Sequence, residues 1–211
     1  MPVVNEEMRA YYDRRAPEYD EWWLAPDRWK GQERPGWTEE VAELLRAIEG
    51  LAPARTLDVA CGTAFLTGHL PGEITALDQS AAMLEVARPR LPHAHLVQGD
   101  AVPLPFSDGE FDRVFTGHFY GHLLEDERRA FLREVRRVAR ELVVVDSALR
   151  EGIEAEVWQE RETTDGARHR VYKRYFASDE LAEELGGGEV LHGGRWFVAV
   201  ASRSLHSPTD R

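Results

Sequence analysis

The stretch TLDVACGTA, residues 56–64, runs from a short apolar segment into a tight turn of small residues. Thr56 to Ala60 reads as a strand covered on both faces, as strands of a parallel sheet are. Cys61, Gly62, Thr63 and Ala64 carry little side-chain bulk, so a ligand can approach the backbone there. Working outward, the same kind of run recurs as ITALD at 74–78, AHLVQG at 94–99, FDRVFT at 111–116 and ELVVVDS at 141–147. Helical stretches are predicted between them near 64–70, 80–88 and 124–139. Strands alternating with helices predict parallel βαβ units in a doubly wound α/β sheet.

In such a sheet, ligands bind outside the carboxyl ends of the strands. Three acids, Asp58, Asp78 and Asp100, stand at or near the ends of the first three strands. The turn after the first strand leads to a predicted helix N-terminus, whose free N–H groups suit a carboxylate or phosphate. Asp78 lies about 20 residues on, where an acid accepts both hydroxyls of a ribose. Asp78 or Ser80 can equally cap the next helix. At the third strand the Asp100 carboxylate suits an adenine amino group, and the next backbone N–H, that of Ala101, suits a ring nitrogen.

Composition narrows the function classes. The chain has 211 residues, 43% of them apolar, and a formal net charge of −12, which argues against a nucleic-acid partner. Cys61 is the only cysteine, so neither an intramolecular disulfide nor a cysteine-rich zinc site is available. The opening MPVVNEEMRAYYDRR lacks the apolar core of a signal peptide, and no run approaches the ~18 apolar residues of a membrane span. A soluble cytoplasmic protein is the expectation. No repeat appears, and residues 1–211 are read as one domain: a helical, aromatic lid segment at 1–50, a ligand-binding core at 51–147, and a hairpin with sheet completion at 148–204.

Helices are predicted at 5–16, ended by Pro17, and at 38–48. Tyr11, Tyr12, Tyr19, Trp22, Trp23 and Trp29 crowd the lid, and Tyr11, Trp22 and Trp23, with Tyr120 beyond the fourth strand, are candidate walls for a planar or apolar small molecule. Residues 156–176 read as a β-hairpin turning at Asp165-Gly166. Its Arg168, Arg170 and Arg174 recur at even spacing, either to bind an acidic substrate or as a solvated face. Such an edge hairpin also suits a dimer contact, so monomer and homodimer both stand. A short helix at 178–185 and an antiparallel pair, EVLHGG and RWFVAVASR, complete the chain before a frayed tail of eight residues.

The segment GHFYGH, 117–122, sets His118 and His122 four apart, the spacing of a zinc pair on a helix. Gly117 and Gly121 argue against a regular helix and no third ligand has suitable spacing, so no metal is expected; Asp112 and Asp146 do not make a convincing set. The histidines are instead candidate acceptor-positioning groups or a general base.

LDVACGTAFLTGHL, ALDQSAAMLEVAR and VQGDAVPLPFSDGEFDRV together closely resemble the successive motifs of class I S-adenosylmethionine-dependent methyltransferases, over roughly residues 50–146. The resemblance is nearest to the small-molecule branch that includes the menaquinone and ubiquinone C-methyltransferases, the methyltransferase type 11 group; YYDRRAPEYDEWW is similar to the segment before its core. It implies a mostly parallel, seven-stranded Rossmann-like sheet with an antiparallel C-terminal strand. It also implies S-adenosylmethionine as cofactor and S-adenosylhomocysteine as product. By the same resemblance Ala60, Gly62 and Thr63 lie against the methionine part, with Gly117 and His118 beside it. Asp58 holds the amino group, Asp78 binds the ribose, Gln79 and Met83 flank the nucleoside, Asp100 and Ala101 read the adenine, and Tyr19 closes over the methionine end.

The sequence departs from the family turn in having Ala60 and Ala64 where glycine is usual, which predicts negative φ at both. The Asn/Asp-Pro-Pro-Tyr/Phe motif of many enzymes that methylate nucleic-acid bases or protein amides is missing after the fourth strand, which leaves a small-molecule acceptor with an O, N or C nucleophile. Two alternatives remain. A nicotinamide-dependent oxidoreductase needs G-x-G-x-x-G, and here only Gly62 fits. A regulatory protein that binds the cofactor without catalysis would keep the same acids.

Overall fold

The computed structural model describes residues 6–25, 31–163 and 166–202, and the backbone alone at 28–29. The Trp29 side chain, Asp165 and the eight-residue tail therefore lie outside the described residues. The elements are α1 (Glu6–Arg15), α2 (Glu21–Leu24), β1 (Arg28–Trp29), β2 (Gln32–Glu33), α3 (Trp37–Glu49), β3 (Ala54–Val59), β4 (Gly72–Asp78), α4 (Ala81–Ala87), β5 (His95–Gln98), β6 (Arg113–Gly117), α5 (Glu125–Val138), β7 (Glu141–Ser147), β8 (Glu156–Glu162), β9 (Arg168–Arg174), α6 (Ser178–Glu184), β10 (Glu189–Gly193) and β11 (Phe197–Ser202).

The main sheet has seven strands in the order β10-β11-β7-β6-β3-β4-β5. Strand β3 pairs in parallel with β4 on one side and β6 on the other, so strand order reverses beside it. Strand β11 returns antiparallel against β7, and β10 pairs antiparallel with β11. This is the expected doubly wound α/β sheet.

Strand alternation divides the core. Leu57, Val114, Leu142 and Val144 pack beneath Phe131, Leu132, Val135 and Val138 of α5. Phe115, Val143, Val145 and Phe197 face the other way, onto Trp37, Val41, Leu44 and Ile48 of α3. Each such side chain contributes about 1.5–3 kcal/mol by leaving water, and together they fix the sheet on which the ligand crevice stands.

Two expectations fail at the first turn. The helix predicted near 64–70 is absent; only a single 3₁₀ turn forms, at Thr67–His69. Thr67 donates its hydroxyl to Asp58 Oδ2 at 2.5 Å, and Gly68 and Pro71 bracket a segment too short to propagate a helix. The first helix beside the crevice is α4, capped by Ser80, which accepts from the Met83 N–H at 3.1 Å. The φ angles also differ from expectation: Ala60 and Ala64 take +61° and +62°, alongside Gly62 at +55°. The turn is pinned from both sides, because Cys61 N donates to Leu77 O at 3.0 Å and Gly62 N to Asp78 Oδ2 at 2.8 Å. Left-handed alanine costs roughly 1–2 kcal/mol per residue, and these two bonds help hold it in place.

Candidate active site

A cavity opens beyond the carboxyl ends of β3, β4, β5 and β6. Ala60, Gly62 and Gly117 form its floor; Leu77, Asp78, Gln79, Met83, Gly99 and Ala101 line one end; His118, Phe119, His122 and Leu123 line another side. Met8, Tyr12 and Tyr19, from the N-terminal segment, also line it. Of the residues expected to hold a cofactor, Tyr19, Ala60, Gly62, Asp78, Gln79, Met83, Ala101, Gly117 and His118 thus share one cavity.

Asp78 is aimed by the backbone. Its Oδ2 accepts from Gly62 N and its Oδ1 from Ser80 N, both at 2.8 Å. Burial raises its pKa to about 6 against those stabilising N–H groups. Each carboxylate oxygen has a second lone pair for a ligand hydroxyl. A Cβ on Gly117 would stand 2.7 Å from Leu66 Cδ1, so the Leu66 side chain would have to shift to admit one.

Three expected cofactor residues do not line the cavity. Asp58 lies beneath the turn, 1% exposed, with Oδ1 buried and without a hydrogen-bond partner. Burial pushes its carboxyl up to about 8, with the Thr67 hydrogen bond opposing. Thr63 donates to Asp20 Oδ1 at 2.5 Å, and its carbonyl accepts from Arg90, which also pairs with Asp20. That knot ties the N-terminal segment to the turn, as does the 2.5 Å bond from Ser80 Oγ to Asp13 Oδ1. Asp100 is exposed, outside the cavity wall.

The expected acceptor walls also move. Tyr11 is buried, accepts from Arg15 Nη1 at 3.0 Å and packs its ring against His169. Trp22 and Trp23 set their rings 5.0 and 5.1 Å from that of His118 and also pack on Phe197. Tyr120 lies in the core and donates to Glu184 at 2.7 Å. All four stand outside the cavity wall because each finds a packing or hydrogen-bond partner behind it. Tyr12 and Met8 are at the wall instead; only the helical phase of α1 separates Tyr12 from Tyr11.

Both histidines reach the cavity, and both are neutral. His118 has φ +55° and donates its backbone N–H to Val145 O at 2.8 Å. Its Nδ1 lies 3.4 Å from Ser147 Oγ and 3.7 Å from Asp146 Oδ1, and burial pushes its pKa down to about 3. His122 Nδ1 is 2.6 Å from the Tyr172 carbonyl, which can only accept, so the lone pair sits on Nε2. Burial, with Lys173 and Arg161 adding to it, holds His122 well below the ordinary imidazole range.

Beneath them Asp146 accepts from Gly121 N and Ser147 N, each at 2.7 Å, and pairs with buried Lys173. Burial alone would raise the Asp146 pKa, but the charge and hydrogen bond of Lys173 hold it below the usual carboxylate value. Asp112 is far from this, at the opposite end of β6 and paired with Arg55. Among the described residues no three His, Cys, Asp or Glu side chains are placed to share a metal ion.

Of the two readings of the hairpin arginines, the solvated face holds for Arg168 and Arg170. Val157, Gln159 and Arg161 of β8 and His169, Val171 and Lys173 of β9 are covered, while Arg168 and Arg170 are exposed. Arg168 faces Glu162, Arg170 lies over the Trp158 ring, and Arg174 pairs with Glu184 at 2.8 Å. The cations under the hairpin are Arg161 and Lys173, which the even spacing of the other three obscured.

Comparison with known proteins fits this geometry. Residues 57–143 match the model of a methyltransferase-domain family. The match runs from β3 into β7 and takes in the strands whose carboxyl ends carry the cavity. Demethylmenaquinone methyltransferase of Thermotoga maritima is 38% identical over 107 residues, 48% of this chain and 44% of that protein. The 2-phytyl-1,4-naphtoquinone methyltransferase of Trichormus variabilis is 33% identical over 150 residues, 64% of this chain and 61% of that one. The chain thus spans about half the length of the curated relatives it matches. Among solved structures, a DhpI–SAM–HEP complex superposes with a TM-score of 0.72 at 28% identity, covering 93% of this chain and 96% of that one. Neither the family match nor these relatives support the oxidoreductase alternative. Among the described residues, no helix is long and apolar enough to cross a membrane.

Proposed function

We propose that this protein transfers a methyl group from S-adenosylmethionine to a small-molecule acceptor. One observation carries the reading: Asp78, oriented by two backbone N–H groups, stands in a cavity whose floor turn overlies the unpartnered Asp58 Oδ1. An orphaned buried carboxylate oxygen fits an incoming ammonium, and a backbone-aimed carboxylate fits a diol. In this reading residues 1–50 cover the site, 51–147 hold the donor, and 148–204 bound the acceptor side.

When bound, the donor supplies an electrophilic methyl group on a sulfonium. Asp78 accepts the ribose hydroxyls, Asp58 takes the amino group directly or through water, and Gln79 and Met83 flank the nucleoside. Asp100 at the rim and the Ala101 N–H read the adenine. Tyr12 and Tyr19 cover the opposite side and keep water out. His118 remains uncharged, so it does not repel the sulfonium. His122 offers its Nε2 lone pair to position the acceptor.

The test supplies methyl-labelled S-adenosylmethionine with candidate acceptors. Expected are S-adenosylhomocysteine and an acceptor heavier by one methylene unit. Absence of S-adenosylmethionine binding by calorimetry overturns the proposal; binding without transfer to any acceptor class returns the chain to a cofactor-binding regulator.

A further inference from the structure

Among the described residues, one cation near the cavity is matched by no acid. Lys173 has Asp146. Arg161, on the same inner face, directs Nε and Nη2 to one neutral partner, Gln159 Oε1, at 3.2 and 2.9 Å. The nearby carboxylates are engaged elsewhere: Asp78 by Gly62 and Ser80, Asp13 by Ser80, Asp20 by Thr63 and Arg90. Arg161 stands opposite His169 across the hairpin, the His169 ring packs on Tyr11, and the Tyr11 ring meets Tyr12 at the cavity wall. From there its charge also acts on Tyr19, His118 and His122, which line the same cavity. Burial keeps both tyrosine phenols protonated, so they are hydrogen-bond donors. In a chain of net charge −12, a half-covered guanidinium beside a cavity and without a carboxylate among the described residues stands out.

The chemistry of the wall points the same way. A hydroxyl or carbon acceptor needs its proton removed. Both histidines are poor bases here, for the reasons of burial and neighbouring cations given above. An oxygen that arrives already ionised needs no base.

We propose that the acceptor carries a carboxylate or phosphoryl oxyanion, held by Arg161 with the Tyr12 and Tyr19 hydroxyls, and is methylated on an anionic oxygen. This rests on the methyltransferase reading. A lone pair of the oxyanion forms the O–CH₃ bond while the S–CH₃ bond breaks with its electron pair left on sulfur. One negative charge of the oxyanion and the positive charge of the sulfonium cancel: a carboxylate becomes a neutral ester, a phosphoryl dianion becomes a monoanionic ester, sulfur is left as a neutral thioether, and no proton moves.

Calorimetry on the full chain saturated with S-adenosylhomocysteine tests this, with benzoate, phenyl phosphate and neutral menadione as probes against wild type, Arg161→Gln and Arg161→Lys. Expected is binding of benzoate or phenyl phosphate, whichever carries the right oxyanion. Binding should be at least about 10-fold weaker in Arg161→Gln and partly regained in Arg161→Lys. S-adenosylhomocysteine affinity should be the same in all three, which also reports that the variants fold. Equal anion binding by wild type and Arg161→Gln, or no anion binding by the loaded wild type, overturns the proposal and leaves the methyltransferase reading standing. Failure of S-adenosylhomocysteine itself to bind overturns that reading, and the oxyanion proposal with it.

Discussion

The two sides of the cavity are built from different material. The donor side is backbone at strand ends: the β3 turn, the aimed Asp78 and the bare Gly117. Its order is local, set within 60 residues of chain and by parallel neighbours. The other side is side chains brought from far apart: His122 after β6, Asp146 on β7, Arg161 and Lys173 on the hairpin. On the first side an acid is held ready by N–H groups; on the second, buried charges hold one another. The difference teaches where each side is fragile. Removing a donor-side contact should weaken binding, whereas breaking the acceptor-side network should weaken the fold.

The largest effect is therefore expected at Asp146. Asp146→Ala leaves Lys173 charged and unpaired at 5% side-chain exposure, and strips the acceptor from two backbone N–H groups. Stability should fall by about 3–5 kcal/mol in urea denaturation. A loss below about 1 kcal/mol, as for a surface pair, would show that the network is not what holds the hairpin down.

A smaller effect tests the donor side through pH. The Asp58 carboxyl is raised from 3.8 to about 8, so the folded chain keeps a proton the unfolded chain releases. That stability is complete below the ordinary carboxylate pKa and is lost as pH rises through about 8. His118, lowered from 6.5 to about 3, acts oppositely: its contribution is complete above 6.5 and is lost as pH falls towards 3. Between pH 6.5 and 8 Asp58 acts without opposition from His118. Denaturation across that window should show declining stability in wild type and a flatter profile in Asp58→Asn. Identical profiles would remove the buried acid from the account.

The smallest effect lies in the turn itself. Ala60 at φ +61° is strained, and glycine relieves it while adding entropy to the unfolded chain. Ala60→Gly should raise stability by no more than about 1 kcal/mol, read as a shift of the denaturation midpoint. A destabilised variant would mean that the Ala60 methyl packs usefully despite its backbone.

The donor side was largely legible in the sequence because strand ends, small residues and acids are adjacent in the chain. Asp78, Gln79, Met83 and Ala101 could be picked out in this way. What was missed there was conformation: spacing does not reveal that Gly62 N and Cys61 N pin two alanines left-handed, or that Thr67 spends its hydroxyl on Asp58 instead of starting a helix. The acceptor side was much less legible. In EVWQERE and RHRVYKR both faces carry charge, so alternation does not say which face is covered. The covered face is set by Asp146, which waits on β7 for Lys173. The tryptophans misled for a related reason: Trp22 and Trp23 bury themselves on His118, Phe197 and Trp37, and reach the cavity only through the histidine they hold.

The central claim is that the two sides bind separate ligands by separate means. Its most direct test measures, by calorimetry, the affinity for S-adenosylhomocysteine and, at saturating S-adenosylhomocysteine, for the bound oxyanion probe, in Asp78→Ala and Arg161→Gln. Asp78→Ala should weaken S-adenosylhomocysteine by at least about 10-fold, from charge-assisted bonds of about 1.5–3 kcal/mol each, and leave the anion nearly unchanged; Arg161→Gln should do the reverse. If either variant weakens both ligands alike, or Asp78→Ala leaves S-adenosylhomocysteine affinity intact, the account is contradicted.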